Sequence, residues 1–168
     1  MKIVSSRLIM EQISEDDWDL FYQLHTNEKV IKLCYDKPRI SEIKSKFMSR
    51  LVPWSKNSSH WLCLAIVDSC TGNKIGVTGF RVRDKNAEVG YLLLPEYHGF
   101  GYATESLVAL IDYSKMQLGI CNFSAVVTDG NIASEKVLTK TGFVLDRVQS
   151  DSHMVGGRLY DDIFYKYS

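Results

Sequence analysis

Proline is scarce: Pro38, Pro53 and Pro95 are the only three among 168 residues. No Pro/Gly-rich linker, fixed-period repeat or low-complexity tract marks a boundary. A single domain over residues 1–168 is expected, because two separate cores in this length would each be small. Charge of one sign is also missing. Lys+Arg number 20 and Asp+Glu 20, a formal net charge of +0, so no basic footprint points to a nucleic-acid backbone or an anionic membrane. Apolar runs such as Tyr91–Leu94 fall far short of the ~20 residues that cross a bilayer, and Met1–Arg7 carries no signal-peptide core. Cys34, Cys63, Cys70 and Cys121 form no C-x-x-C pair and no metal-type spacing with the four histidines. That speaks against a disulfide framework or a metal site and predicts reduced, mostly buried thiols. The expectation is a cytoplasmic chain with no nucleic-acid, membrane or metal partner.

Apolar residues make up 45% of the chain, enough for a sizeable core, and their spacing orders the elements. Leu8–Glu11 reads as a strand, and Ser14-Glu15-Asp16-Asp17 has the S-x-x-D form of a helix start before Trp18, Phe21 and Leu24. Ser41 is the expected cap of a second helix bearing Ile43, Phe47, Met48 and Leu51. Strands follow over 61–67, 75–82 and 87–94, separated by the turn-rich 68–74 and 84–86. Ala103, Leu107, Leu110, Ile111 and Leu118 line one face of a long helix over about 102–118. A strand over 123–127, a helix over 131–141 and strands over 143–148 and 159–165 complete β-α-α-β-β-β-α-β-α-β-β, an α+β domain with helices covering its sheet.

Gly90 to Glu105 runs from an apolar strand through a glycine-bearing loop into that long helix. Gly99 and Gly101 allow close backbone approach, and the free N–H groups at the helix start point at an anion, for which a diphosphate is the natural guest. A tight strand-to-helix turn needing two glycines fits the same residues. The loop is neither a dinucleotide fingerprint nor a P-loop, lacking the third glycine of one and the Gly-Lys-Ser/Thr of the other.

His98-Gly99-Phe100-Gly101-Tyr102-Ala103 resembles the coenzyme A loop of GNAT-superfamily N-acetyltransferases, Arg/Gln-x-x-Gly-x-Gly/Ala, with His98 at the Arg/Gln position. Asn131 to Ser134, Val137-Leu138 and Gly142-Phe143 resemble the family's second signature. Ser6 to Ile9 and Ala103-Thr104-Glu105 are similar to the ribosomal-protein N-terminal (RimJ/RimL-like) branch, so the likeness spans about residues 5–167. It implies the GNAT fold, a mixed, mostly antiparallel sheet splayed in the middle. It further implies acetyl-CoA as co-substrate and direct attack, in a ternary complex, by a primary amine of a protein N-terminus or small molecule. Carried over, the backbone of Tyr91, Leu92 and Leu93 would bind the pantetheine arm, since parting strands leave N–H and C=O groups unpaired. His98, Gly99, Phe100, Gly101, Tyr102, Ala103 and Thr104 would hold the diphosphate. Asn131 would touch the pantetheine or sulfur region as well as cap its helix, and Lys136 would reach a coenzyme phosphate or else lie on a solvated face.

The resemblance implies less about catalysis. Leu138 stands where many members have a tyrosine acid, which makes Ser134 the candidate proton donor to the thiolate, and Glu88 on the fourth strand is the candidate base. Glu105 in the first helical turn suits the helix dipole. The acceptor cleft is expected between the early helices, the 52–60 loop and the hairpin around 152–157. Trp18, Tyr35, Trp54 and Tyr97 are candidate walls, and Asp36, Asp151 and Asp161 candidate ammonium partners. The family often pairs, so a homodimer is an open expectation. A coenzyme-binding sensor or interaction module without transfer is the alternative reading.

Overall fold

A computed structural model describes residues 1–168. Its elements are β1 (Lys2–Val4), β2 (Leu8–Gln12), α1 (Trp18–Thr26), α2 (Glu28–Ile31), α3 (Ile40–Leu51), β3 (Leu62–Asp68), β4 (Lys74–Arg83), β5 (Asn86–Leu93), α4 (Tyr102–Tyr113), β6 (Asn122–Thr128), α5 (Ile132–Thr141), β7 (Val144–Val155) and β8 (Arg158–Tyr167). The strands form one sheet in the order β1-β2-β3-β4-β5-β6-β8-β7. Every pairing is antiparallel except β5–β6.

Period-2 alternation divides β3 between two cores. Leu62, Leu64 and Ile66 turn to the face where Leu107, Leu110 and Ile111 of α4 pack. Cys63 and Ala65 turn to the other, against Phe21 and Leu24 of α1 and Ile43 and Phe47 of α3. Each fully buried leucine of these clusters contributes ~1.5–3 kcal/mol relative to exposure. The sheet is therefore a wall with one helix pair on each side.

The boundaries depart from the sequence reading where local hydrogen bonds override the pattern. β1 is an added strand along β2, and α2 an added short helix capped by Asn27, whose side chain accepts from the Lys29 amide. Helix α3 begins before Ser41, because the Glu42 carboxylate accepts from the Arg39 amide at 2.7 Å and moves the cap to Arg39. The long helix is α-helical to Tyr113, then widens into a π-type turn at Ser114–Leu118 that ends on Gly119 at φ +64°. The last hairpin is longer than expected: Gly156 (φ +58°) and Gly157 (φ +74°) supply the left-handed pair of a two-residue turn. Among the cysteines, Cys63 is buried and Cys34 half-buried, but Cys70 and Cys121 are exposed, contrary to the expectation of mostly buried thiols.

The feature that positions the site is a split. β5 and β6 pair only through Asn86–Glu88 and Asn122–Ser124. Beyond that, β5 stays with β4 as far as Leu93↔Gly76, while β6 stays with β8 as far as Thr128↔Asp162. Each strand keeps its antiparallel partner, so the parallel pair parts.

Gly79 and Gly90 pair across β4 and β5. A Cβ at Gly79 would collide with the Leu62 carbonyl. Gly79→Ala is expected to lower stability by ~1–3 kcal/mol, read as a lower urea midpoint at unchanged slope; a wild-type midpoint would contradict this packing.

Candidate active site

Between β5 and α4, Gly99 (φ +83°) and Gly101 (φ +81°) hold left-handed backbone that favours glycine. Their need is conformational: nothing lies within 4 Å of a Cβ at Gly99, and only Arg7 Nη2, at 3.6 Å, near one at Gly101. The loop then enters α4 through Gly101, and the first intrahelical bond runs from the Glu105 amide to the Gly101 carbonyl at 3.0 Å. The six amides from Gly99 through Thr104 have no acceptor within the protein. Six donors at a helix N-terminus make an anion cradle.

Arg7, placed by β2, fixes this loop. Its Nε donates to Glu105 Oε2 at 2.7 Å, its amide to Glu105 Oε1 at 2.8 Å and its Nη1 to the Phe100 carbonyl at 3.0 Å. The guanidinium lies 4.4 Å from the centre of the Tyr102 ring, while the Ser5 hydroxyl donates to Glu105 Oε1 at 2.7 Å. Tyr102 Oη donates to Asp68 Oδ2 at 3.1 Å. Burial opposes ionisation of Glu105, but the Ser5 hydroxyl, the Arg7 amide and its guanidinium outweigh it and hold the carboxyl below its ordinary range. Glu105 therefore does more than complement the helix dipole: it ties α4 to the chain's first turn. Sequence reasoning missed this network, although Ser5 and Arg7 precede β2 in one short polar run.

The gap between β5 and β6 borders the loop. The Leu94 amide bonds to the Ile75 carbonyl of β4 at 2.9 Å; alternate residues face opposite sides of a strand, so Leu92 and Gly90 also spend their polar groups on β4. Tyr91 and Leu93 turn theirs into the gap. Leu92 thus differs from the expectation, bordering the site with its side chain. His98 differs too: its Nε2–H donates to the Leu93 carbonyl at 2.9 Å, pinning the loop to β5. Across the gap, Asn131 caps α5 by accepting from the Ser134 amide at 3.3 Å. Tyr91 Oη donates to the Ser134 carbonyl at 3.3 Å; burial raises this phenol to about 12. Ser134 is half-buried, Lys136 exposed and Leu138 in the core.

On the opposite face, α1 and α3 border a cleft of about 250 Å³ over the bare Gly79–Gly90 floor. Its walls include His25, Tyr35, Lys46, Arg50 and Trp61, and it reaches Tyr91 and Leu92 at the lip of the gap. His25 donates from Nδ1 to the Phe21 carbonyl at 2.8 Å, and burial lowers its pKa to about 4, so the ring is neutral. Along β5, Ala87 packs in the α4-side core, while Glu88 shares the cleft face with Gly90 and Leu92 and pairs with Arg81 at 3.0 Å. Of the expected walls, only Tyr35 lines the cleft. Trp18 packs on Phe47, Trp54 on Phe80 and Tyr97 on Tyr102. Asp36 accepts from the Gly156 amide at 2.6 Å, and Asp161 from the Asp151 amide at 3.0 Å, so two of the candidate ammonium partners hold the hairpin.

Residues 7–144 match the acetyltransferase (GNAT) domain family. The chain belongs to the GNAT acetyltransferases. As a member it is an acetyltransferase that takes acetyl-CoA as co-substrate, and the donor-rich loop and parted strands suit that ligand. The uncharacterized N-acetyltransferase YoaA of Bacillus subtilis is 27% identical over 96% of this chain and 93% of its own. Among solved structures, the RimL ribosomal L7/L12 alpha-N-protein acetyltransferase in complex with coenzyme A superposes with a TM-score of 0.84 at 21% identity, covering 99% of this chain and 97% of that one. A spermidine N-acetyltransferase from Vibrio cholerae, in complex with CoA and spermine, does so at 0.82 and 18%, covering 96% and 95%. The GNAT fold implied by the loop and the Asn131–Phe143 signature is the fold observed. No group of three or more His, Cys, Asp or Glu is placed to hold a metal, and no helix is long and apolar enough to cross a membrane.

The Arg7–Glu105 tie carries a pH signature. Because the folded Glu105 pKa is depressed, its stabilisation is complete above the ordinary carboxylate value of about 4.3 and is lost as pH falls through the lower folded value. Urea midpoints of wild type and Glu105→Gln should differ most near neutral pH and converge below it; a pH-independent difference would contradict the tie.

Proposed function

We propose that this acetyltransferase moves the acetyl group from acetyl-CoA to a primary amine, of a protein N-terminus or a small molecule, by direct attack in a ternary complex. The observation that carries this reading is the adjacency of six unpartnered amides to a gap lined by the free backbone groups of β5. The structural neighbours support amines of both kinds, one being a ribosomal-protein alpha-N-acetyltransferase and another a spermidine N-acetyltransferase. In this reading the amides of Gly99, Phe100, Gly101, Tyr102, Ala103 and Thr104 take the diphosphate, with His98 acting through β5. The amide and carbonyl of Tyr91 and the amide of Leu93, whose carbonyl is held by His98, take the pantetheine amides much as a missing strand would, Leu92 borders the thioester, Asn131 fixes the α5 end, and Lys136 reaches the coenzyme from outside. The thioester supplies the acyl carbon, and the amine reaches it from the α1–α3 cleft.

Two proton tasks remain. Ser134 offers its hydroxyl to the departing thiolate; no partner within the protein occupies that hydroxyl. Glu88, the only acid on β5, sits on the cleft face and takes the amine's proton through water. The setting is cytoplasmic, with the four thiols reduced.

A panel of amines and N-terminal peptides, followed by thiol release and by mass of the acetylated product, tests the reading. Acceptor-dependent release is expected; tight coenzyme binding with no turnover on any acceptor would favour a binding module. Ser134→Ala should lower kcat by ~10²-fold with little change in the KM for acetyl-CoA. A wild-type kcat would reduce Ser134 to a helix residue.

A further inference from the structure

The cleft's charge is one-sided. Lys46 and Arg50 stand one turn apart on α3, both half-buried and both lining the cleft, and neither has a carboxylate partner. Glu42, the nearest acid on that helix face, is turned to the Arg39 amide. Aromatic rings hold the two cations instead: Lys46 Nζ lies 5.0 Å from the Tyr35 ring centre and Arg50 Cζ 5.3 Å from that of Trp61. Arg81, 5.4 Å from the same indole, is the one nearby cation with an acid, Glu88. No Asp or Glu lines the cleft, and the Tyr35 hydroxyl is buried there without a partner.

This arrangement is costly unless something completes it. Like charges one helical turn apart repel, and a cation drawn partly out of water without an anion loses solvation it does not recover. Packing does not require charge at these positions, because Ile43 and Phe47 supply the core contacts of α3. Burial lowers the pKa of both groups, and for Lys46 the proximity of Arg50 lowers it further, against the opposing pull of the Glu42 carboxylate. The missing member is an acceptor-rich, negatively charged group. The coenzyme's phosphates do not supply it, since the Gly99–Thr104 amides head α4 on the other face of the sheet.

We propose that the acceptor amine carries an anionic group, a carboxylate or a phosphate, that seats between Lys46 and Arg50 in the α1–α3 cleft. This rests on the acetyl-transfer reading and names its substrate class. A volume of about 250 Å³ suits an amino-acid-sized molecule. With its anion on α3, its amine extends toward Tyr91 and Leu92 at the gap. A polyamine, cationic throughout, is rejected by the same two residues.

The test follows the Trp61 indole N–H resonance of the ¹⁵N-labelled full chain during separate titrations with inorganic phosphate, phosphoethanolamine, 4-aminobutyrate and spermidine. Saturable shifts are expected with anion-bearing probes and none with spermidine, and the phosphate and carboxylate arms tell which anion the cleft takes. Lys46→Met/Arg50→Met should weaken the apparent Kd ~10- to 100-fold, and Lys46→Met alone, the milder change, should also weaken it. No saturable shift with any anion, an equal response to spermidine, or wild-type titration by the variants would overturn the proposal. Coenzyme A binding, read at the Gly101 amide, should be unchanged in these variants. Failure there in the wild-type protein would strike the acetyl-transfer reading and leave the anion result standing.

Discussion

Everything at this site depends on the parting of β5 from β6. A sheet interior that stops pairing leaves backbone donors and acceptors facing each other across a widening space, and buried peptide groups need partners. Here the split follows from loyalty to antiparallel neighbours on either side, β4 and β8. Its reach is extended by the loop that follows β5, whose amides are held outward by left-handed glycines and by α4 itself. One topological event thus leaves a slot lined by backbone groups of β5 and, beside it, a cluster of unpartnered amides.

The two faces of the sheet then divide the chemistry. On the α4 side, a tie from Arg7 and Ser5 to Glu105 fixes the cradle at modest cost, since each partner is satisfied several times over. On the α1–α3 side, charge is left unsatisfied in a cleft floored by two facing glycines. The contrast sets the paired loop at the head of α4 apart from the unpaired cations of the cleft.

Much of this was legible in the residues. The α+β order follows from the switch of apolar period between Trp61 and Leu94, and the glycine loop from Gly99 and Gly101 ahead of a helical stripe. The Asn131 cap and the Gly142 helix end were equally plain. Long-range partners were not. Nothing in local spacing tells that Glu105 meets Arg7, 98 residues away, or that His98 turns back to Leu93. The aromatic walls failed for a related reason: composition names Trp18 and Trp54, but only packing reveals that each serves a core, and nothing in local spacing marks Lys46 or Arg50.

The most direct measurement is a residue-resolved amide map of the full chain titrated with coenzyme A and, separately, with pantetheine, which lacks the diphosphate. Coenzyme A should move and protect the amides of Tyr91, Leu93 and Gly99–Thr104 together, while pantetheine moves only the β5 pair. Coenzyme A binding that leaves Gly99–Thr104 unmoved, or that perturbs the α1–α3 face alone, would contradict the account.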